Sequence, residues 1–271
     1  MIDLHCHSHF SDGILSPQQL LEKAKLQGLR CLAITDHDTM AGYLSLKQDP
    51  AITVIPGIEL STVWKKHDIH ILAYQIQATP AFGQLIEQQN SSRIERAKEI
   101  AACLDKLGII DSYDKACQVA GHQRIGRPHF AKVLMNEGKA KDMQAAFRQY
   151  LGRGKSAFVP TPWVKVCDAV AAILEAGGQA VIAHPYKYGL TRSKLHELIN
   201  EFKDAGGVGI EVVSGEMTVT QVNELAATCL RFNLLASSGS DYHGDGLSRV
   251  GLGRQQQVPA FCTPIWQNWT I

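Results

Sequence analysis

Short apolar, β-branched runs alternate with amphipathic stretches along most of this chain, and that rhythm restricts its architecture more than any other feature. The runs Ile2–Cys6, Cys31–Thr35, Ile52–Ile55, Ile69–Tyr74, Gln179–Ala183, Gly209–Val213 and Leu234–Ser237 read as strands. Helical patterns lie between several of them. One begins at Ser16 with Pro17 in the first helical position, carries Leu20, Leu21, Ala24 and Lys25, and stops at Gly28. Others cover Trp163–Ala176, Ser193–Ala205 and Thr218–Phe232. Strand–helix alternation with short connections predicts a parallel sheet, either open or closed into a barrel.

The rhythm breaks once. From Pro80 to Thr161 no run reads as a strand; a helical pattern is punctuated by Gly121, Gly126, Pro128, Gly138 and Gly152. The expected organisation is an α/β domain of residues 1–79 and 162–271, interrupted by an all-helical insertion of residues 80–161. Charge follows a similar division. Between Ser91 and Lys155, thirteen Lys and Arg face seven Asp and Glu, while the whole chain carries only +1. A basic segment on an acidic body hints at an anionic substrate, although a solvated helical face gives the same count.

Composition narrows the class further. With 271 residues, 45% of them hydrophobic and 20% charged, the chain is an ordinary globular protein with enough length for a sizeable core. No apolar run approaches the roughly 20 residues of a membrane span. A usable strand starts at Ile2, which leaves no room for a signal peptide. The seven cysteines are scattered and form no CxxC pair, which argues against a disulfide framework and against a thiolate zinc site. They read as packing residues in a reducing cytoplasm. No obligatory protein partner is evident.

The chemistry begins at Asp3-Leu4-His5-Cys6-His7. Residues two apart on a strand share a face, so His5 and His7 project together and can share one ion. Asp12 follows in the loop. The pattern recurs at later strand ends: Thr35-Asp36-His37-Asp38, Glu59 after the third run, His70 on the fourth, Ala183-His184-Pro185, and Ser240-Asp241-Tyr242-His243. Six of eleven histidines thus gather where barrel enzymes assemble their sites. Imidazole and carboxylate without thiolate suit Zn, Mn or Fe. Nine ligands exceed the four that one zinc ion commonly takes, so two or three divalent ions would use them.

Together these motifs resemble the polymerase and histidinol phosphatase (PHP) family, over nearly the whole chain. The stretches Ile55–Trp64, Gly126-Arg127-Pro128-His129-Phe130 and Gly152-Arg153-Gly154-Lys155 are similar to its branch of RNase AM-type 5′-3′ exoribonucleases and 3′,5′-nucleoside bisphosphate phosphatases. The resemblance implies a distorted (β/α)7 barrel with three metal ions. His5, His7, Glu59 and Asp241 would hold the first, Glu59 with His70 and His184 the second, and Asp12, His37 and His243 the third. Asp3, Asp36 and Asp38 would orient imidazoles or serve as turn residues.

Such a cluster implies in-line attack on a phosphate ester by metal-bound hydroxide, with His243 or a bound water as the acid. Arg127 and His129, in a stretch that reads as a helix N-terminus, would by resemblance hold a phosphate or ribose that is not being cleaved, with Arg153 and Lys155 as weaker candidates. Trp64 reads as a packing residue that could stack on a base. His9, His67, His122 and His196 read as incidental. The expected substrates are short RNA, yielding nucleoside 5′-monophosphates, and 3′,5′-nucleoside bisphosphates, losing the 3′-phosphate. Two other readings stay open: a phosphatase of a small metabolite such as histidinol phosphate, and a metal-bearing accessory module without turnover.

Overall fold

The computed structural model describes residues 1–47 and 49–271. In chain order its elements are β1 (Ile2–Cys6), α1 (Pro17–Leu26), β2 (Cys31–Ile34), α2 (Ala41–Leu44), β3 (Thr53–Trp64), β4 (His67–Tyr74), α3 (Pro80–Asp105), α4 (Ser112–Ala120), α5 (Arg127–Asn136) and α6 (Met143–Ala146). After a π-helical turn at Phe147–Leu151 come β5 (Val164–Lys165), α7 (Val166–Glu175), β6 (Gln179–Ile182), α8 (Arg192–Asp204), β7 (Gly209–Ser214), α9 (Val219–Arg231) and β8 (Leu235–Gly239).

Local chemistry accounts for these boundaries. The Ser16 hydroxyl accepts from the Gln19 N–H and the Ser16 N–H donates to Gln19 Oε1 in return, with Pro17 opening α1. Such a cap contributes about 1 kcal/mol. Leu20, Leu21 and Ala24 then form the buried face, and Gly28 turns the chain with a φ of +71°. β2 is buried at every residue, the signature of a strand covered on both faces.

The strands follow the order β1-β2-β3-β4-β6-β7-β8, with β5 paired to β3. The sheet curls into a nearly closed barrel with helices around it. Closure comes from β1: the Asp241 N–H donates to the His5 carbonyl and the His7 N–H to the Tyr242 carbonyl, each at 2.8 Å. Gly239 makes this approach possible, since a Cβ there would lie 2.1 Å from the His5 Cβ.

The sheet is not wholly parallel. β4 runs antiparallel to both β3 and β6. Two residues, Lys65 and Lys66, join Trp64 to His67, and so short a link permits only a hairpin. β3 is also far longer than the run Ile52–Ile55, so Glu59 lies within the strand rather than after it.

The chain divides into two compact units, residues 1–85 with 164–271, and residues 86–163. The first holds the barrel, its core built from side chains such as Leu4, Ile55, Leu72, Tyr74 and Val181. The second contains no strand among its described residues, and packs around Ile100, Leu104, Phe130, Leu134 and Leu151. No helix among the described residues is long and apolar enough to cross a membrane.

Candidate metal centre

Glu59 sits at the middle of a convergence of imidazoles. Its Oε1 lies 2.8 Å from His70 Nδ1 and 2.7 Å from His184 Nε2. Its Oε2 lies 3.2 Å from each of His5 Nε2, His7 Nε2 and His37 Nδ1. Sheet geometry explains the neighbourhood. His5 and His7 share a face of β1 and its extension, and Ser61 opposite His70 makes His70 the diagonal same-face neighbour of Glu59. The reversed direction of β4 is what brings its early residues to this end.

Asp241 and Asp12 complete the cluster. Asp241 Oδ1 faces His5 Nε2 at 3.5 Å and His7 Nε2 at 3.3 Å. Asp12 Oδ1 faces His243 Nε2 at 3.2 Å and its Oδ2 faces His37 Nε2 at 3.8 Å. Four groups of close ligand atoms result: His7, Asp12, His37 and His243; His5, His7 and Asp241; His5, Glu59 and His184; His37, Glu59 and His70. All nine residues singled out as ligands are brought together.

The backbone at three of these strand ends is left-handed. Asp38, His184 and Asp241 have φ of 51°, 24° and 52°. Non-glycine residues adopt such values at a cost, which surrounding contacts must offset. Here the His184 N–H donates to Glu211 Oε2 at 2.7 Å, and the Asp38 N–H to the Glu59 carbonyl at 3.0 Å.

The cluster carries unsatisfied electrostatics. His5 Nε2, His7 Nε2, His37 Nδ1, Asp12 Oδ1 and Glu59 Oε2 are buried and make no hydrogen bond of proper geometry. Buried polar atoms left in this state are expensive. Burial disfavours protonated His5 and His7, yet facing carboxylates outweigh it. Glu211, Glu59 and Asp241 raise His5 well above its ordinary value, and Asp241 and Glu59 raise His7 to about 10. Burial instead dominates at His37 and His184, holding both at about 3, helped at His184 by Lys187. Burial alone would raise Glu59, Asp12 and Asp241, but the facing imidazoles, with Lys187 beside Asp241, keep all three well below the usual carboxylate range. Inward ring nitrogens and carboxylate oxygens, orphaned and mutually polarised, are the set of atoms that divalent cations take once the nitrogens give up their protons.

Two contributors carry no signal that the motifs singled out. Glu211, fully buried on β7, accepts from His5 Nδ1 at 3.0 Å through Oε1. That bond holds Nδ1 as a donor, so it is Nε2 that faces the cluster and would yield its proton to a metal. An acid inside the apolar run Gly209–Val213 was its only mark. Lys187, on the turn after His184, reaches Asp241 Oδ2. Asp3 and Asp36 act mainly on backbone and hydroxyl groups. Asp3 accepts the N–H groups of Ser240 and Gly253, and Asp36 accepts from Ser8 and Ser11.

His243 donates through Nδ1 to the Asp241 carbonyl at 2.9 Å, and its Nε2 faces Asp12 Oδ1 at 3.2 Å. Arg127, His129, Arg153 and Lys155 belong to the second unit and to none of the four groups. His129 is buried in the first turn of α5, where its Nδ1 accepts the Gly126 N–H at 3.0 Å. Arg127 lies over the Phe158 ring at 5.8 Å, and Arg153 and Lys155 occupy an exposed turn. Trp64 is buried and donates to Glu201 Oε2 at 2.7 Å, a packing role. His9, His67, His122 and His196 also lie outside the four groups.

Comparison with known proteins agrees with this geometry. The chain is 39% identical to the 3′,5′-nucleoside bisphosphate phosphatase of Chromobacterium violaceum, across 98% of this chain and 95% of that protein. It is 37% identical to the 5′-3′ exoribonuclease Rnm of Escherichia coli, across 98% and 93%. A solved amidohydrolase structure from Chromobacterium violaceum, with bound sulfate and no metal, superposes with a TM-score of 0.91 at 38% identity, covering 98% of this chain and 94% of that one. A structure from Bifidobacterium adolescentis, described under the name of a metal-dependent phosphoesterase, gives 0.82 at 29% identity, covering 97% and 92%. A family model, the PHP domain, matches residues 3–159. With more than half its length matched, and near full-length relatives above 35% identity, the chain belongs to the PHP domain family.

Proposed function

We propose that this chain is a metal-dependent phosphoesterase acting on 5′-phosphorylated nucleotides. It releases nucleoside 5′-monophosphates from short RNA in the 5′-to-3′ direction, and removes the 3′-phosphate of 3′,5′-nucleoside bisphosphates. The observation that carries the reading is Glu59, whose two oxygens face five imidazoles in a pocket of orphaned donor atoms. The names of the relatives supply the substrate class. Both reactions break the bond on the 3′ side of a 5′-phosphorylated nucleotide, so one site serves both.

His5, His7, Glu59 and Asp241 would hold one ion, Glu59 with His70 and His184 a second, and Asp12, His37 and His243 a third; the metals are Mn, Zn or Fe. Divalent ions supply Lewis acidity that acidifies a water and offsets phosphoryl charge. The chain's own part is preorganisation. Glu211 sets the His5 tautomer and ties down the His184 backbone, so two donors on different strands keep one register. His243 keeps its Nε2 toward Asp12 by donating through Nδ1. Arg127 and His129, at the start of α5, are proposed contacts for a phosphate or ribose that stays intact, with Arg153 and Lys155 as weaker ones. Seven free cysteines support a reducing, cytoplasmic setting.

The test is a substrate panel on the Mn²⁺-loaded protein: a 5′-phosphorylated oligoribonucleotide, a 3′,5′-nucleoside bisphosphate and histidinol phosphate. The expected result is nucleoside 5′-monophosphate from the first two. Turnover of histidinol phosphate alone would establish the small-metabolite reading, and no turnover of any would establish an accessory module.

A further inference from the structure

We infer that Lys187 is a substrate-binding residue, its ammonium holding a non-bridging oxygen of the phosphate group being cleaved. The inference rests on the phosphoesterase reading above and names a residue that the family motifs did not mark. Lys187 lies on a 3-10 turn, Pro185–Tyr188, directly after His184. The turn is pinned around it. The Tyr186 hydroxyl donates to Glu224 Oε2 at 2.6 Å. The Tyr188 hydroxyl donates to the Ala183 carbonyl at 2.7 Å and accepts the His70 N–H at 2.9 Å. The Lys187 N–H donates to the His184 carbonyl at 2.9 Å.

The side chain so presented keeps 57% of its surface in solvent, yet its Nζ touches Asp241 Oδ2. The other oxygen of Asp241 faces His5 and His7. A positive charge therefore stands one carboxylate width from the cluster, with more than half of the Lys187 side chain in solvent. Serving as the counter-ion of Asp241 is the competing role. Two points weigh against it. Asp241 already faces two imidazoles, and Lys187, more than half exposed, keeps much of its hydration in the pair. An ammonium with three rotatable donors on a flexible stem suits instead an arriving phosphoryl group, which brings more charge than a carboxylate.

Lys187→Met and Lys187→Arg separate these roles. Affinity for inorganic phosphate is measured by calorimetry on Mn²⁺-loaded and metal-free protein, Mn²⁺ affinity by chelator competition, and kcat and KM on a 3′,5′-nucleoside bisphosphate. For Lys187→Met, phosphate binding should weaken by roughly 10-fold or more, about 1.4 kcal/mol, and kcat/KM should fall at least as far. Lys187→Arg should recover most of the phosphate binding, and Mn²⁺ affinity should stay within about threefold in both variants. Unchanged phosphate affinity with altered Mn²⁺ affinity would make Lys187 the counter-ion of Asp241 and overturn the inference. If the wild-type protein hydrolyses no phosphate ester, the functional reading falls, while the phosphate comparison still judges Lys187.

Discussion

The two compact units both bury an apolar core, but they differ in the polar groups they bury with it. In the barrel unit the fully buried set includes Asp3, His5, His7, Glu59 and Glu211, groups that a folding chain ordinarily keeps in water. In the helical unit the centre is apolar, with small residues such as Ala116, Ala131, Ala145 and Ala146 letting helices pack closely around Phe130 and Leu104. Its buried guanidiniums, Arg93 and Arg96, lie over the Trp163 ring at 5.1 and 5.4 Å. The difference teaches where each unit spends its sequence. The barrel end sacrifices stability for a fixed constellation of donors, and the helical unit converts burial directly into stability.

The sharpest way to break that comparison is to remove one donor from the constellation. Asp241→Ala should lower turnover of a 3′,5′-nucleoside bisphosphate by about 10³-fold or more, roughly 4 kcal/mol of barrier. The metal-free protein should also melt lower, because the facing His5 and His7 imidazoliums are left without their carboxylate partner. Circular dichroism melts and steady-state kinetics on the same preparation check both halves. Activity within tenfold of wild type would show that the cluster is not the catalytic centre.

The converse substitution belongs in the helical unit. Leu104, fully buried on α3, contributes by packing alone. Leu104→Ala should cost about 2–5 kcal/mol in urea unfolding, through lost transfer energy and the cavity left behind. Metal stoichiometry of the folded protein, measured by elemental analysis, should stay at the wild-type value. A fall in stoichiometry would mean that the helical core and the metal centre are one energetic system.

The same contrast explains what could be read before the fold was known. The nine donors were legible because chemistry placed them at repeated positions: a two-residue period at His5 and His7, and strand ends at His37, His184 and Asp241. The barrel was legible through strand–helix alternation. The direction of β4 was not, although the two-residue link Lys65-Lys66 carried the information. The reach of β3 was hidden by Pro56-Gly57, a pair that normally ends a strand. Here Pro56 stays in register opposite Ile34, and Gly57 lets Thr35 come close, a Cβ there lying 3.0 Å from its Cγ2. Glu211 and Lys187 repeat no motif, and only tertiary contact gives them meaning.

Proton competition offers the smallest effect and the finest test of how the barrel end stores charge. In the metal-free protein His5 titrates well above its ordinary value and His7 at about 10, because their carboxylate partners outweigh burial. Both are therefore imidazolium at pH 7, whereas His37 and His184, at about 3, are already neutral. A cation binding there must displace the His5 and His7 protons, so loading at pH 7 should release about one to two protons and tighten as pH rises toward 10. Calorimetry in buffers of different ionisation enthalpy reads that number. The sign for stability follows from the same raised values. The two imidazolium groups stabilise the metal-free fold fully below pH 6.5; the His7 contribution disappears as pH climbs through about 10, and that of His5 is likewise lost on the alkaline side. The metal-free protein should accordingly melt lower at pH 9 than at pH 7, and the loaded protein should lose this trend. Loading without proton release would mean that His5 and His7 are neutral beforehand, and that the carboxylates around Glu59 do not govern the charge of this site.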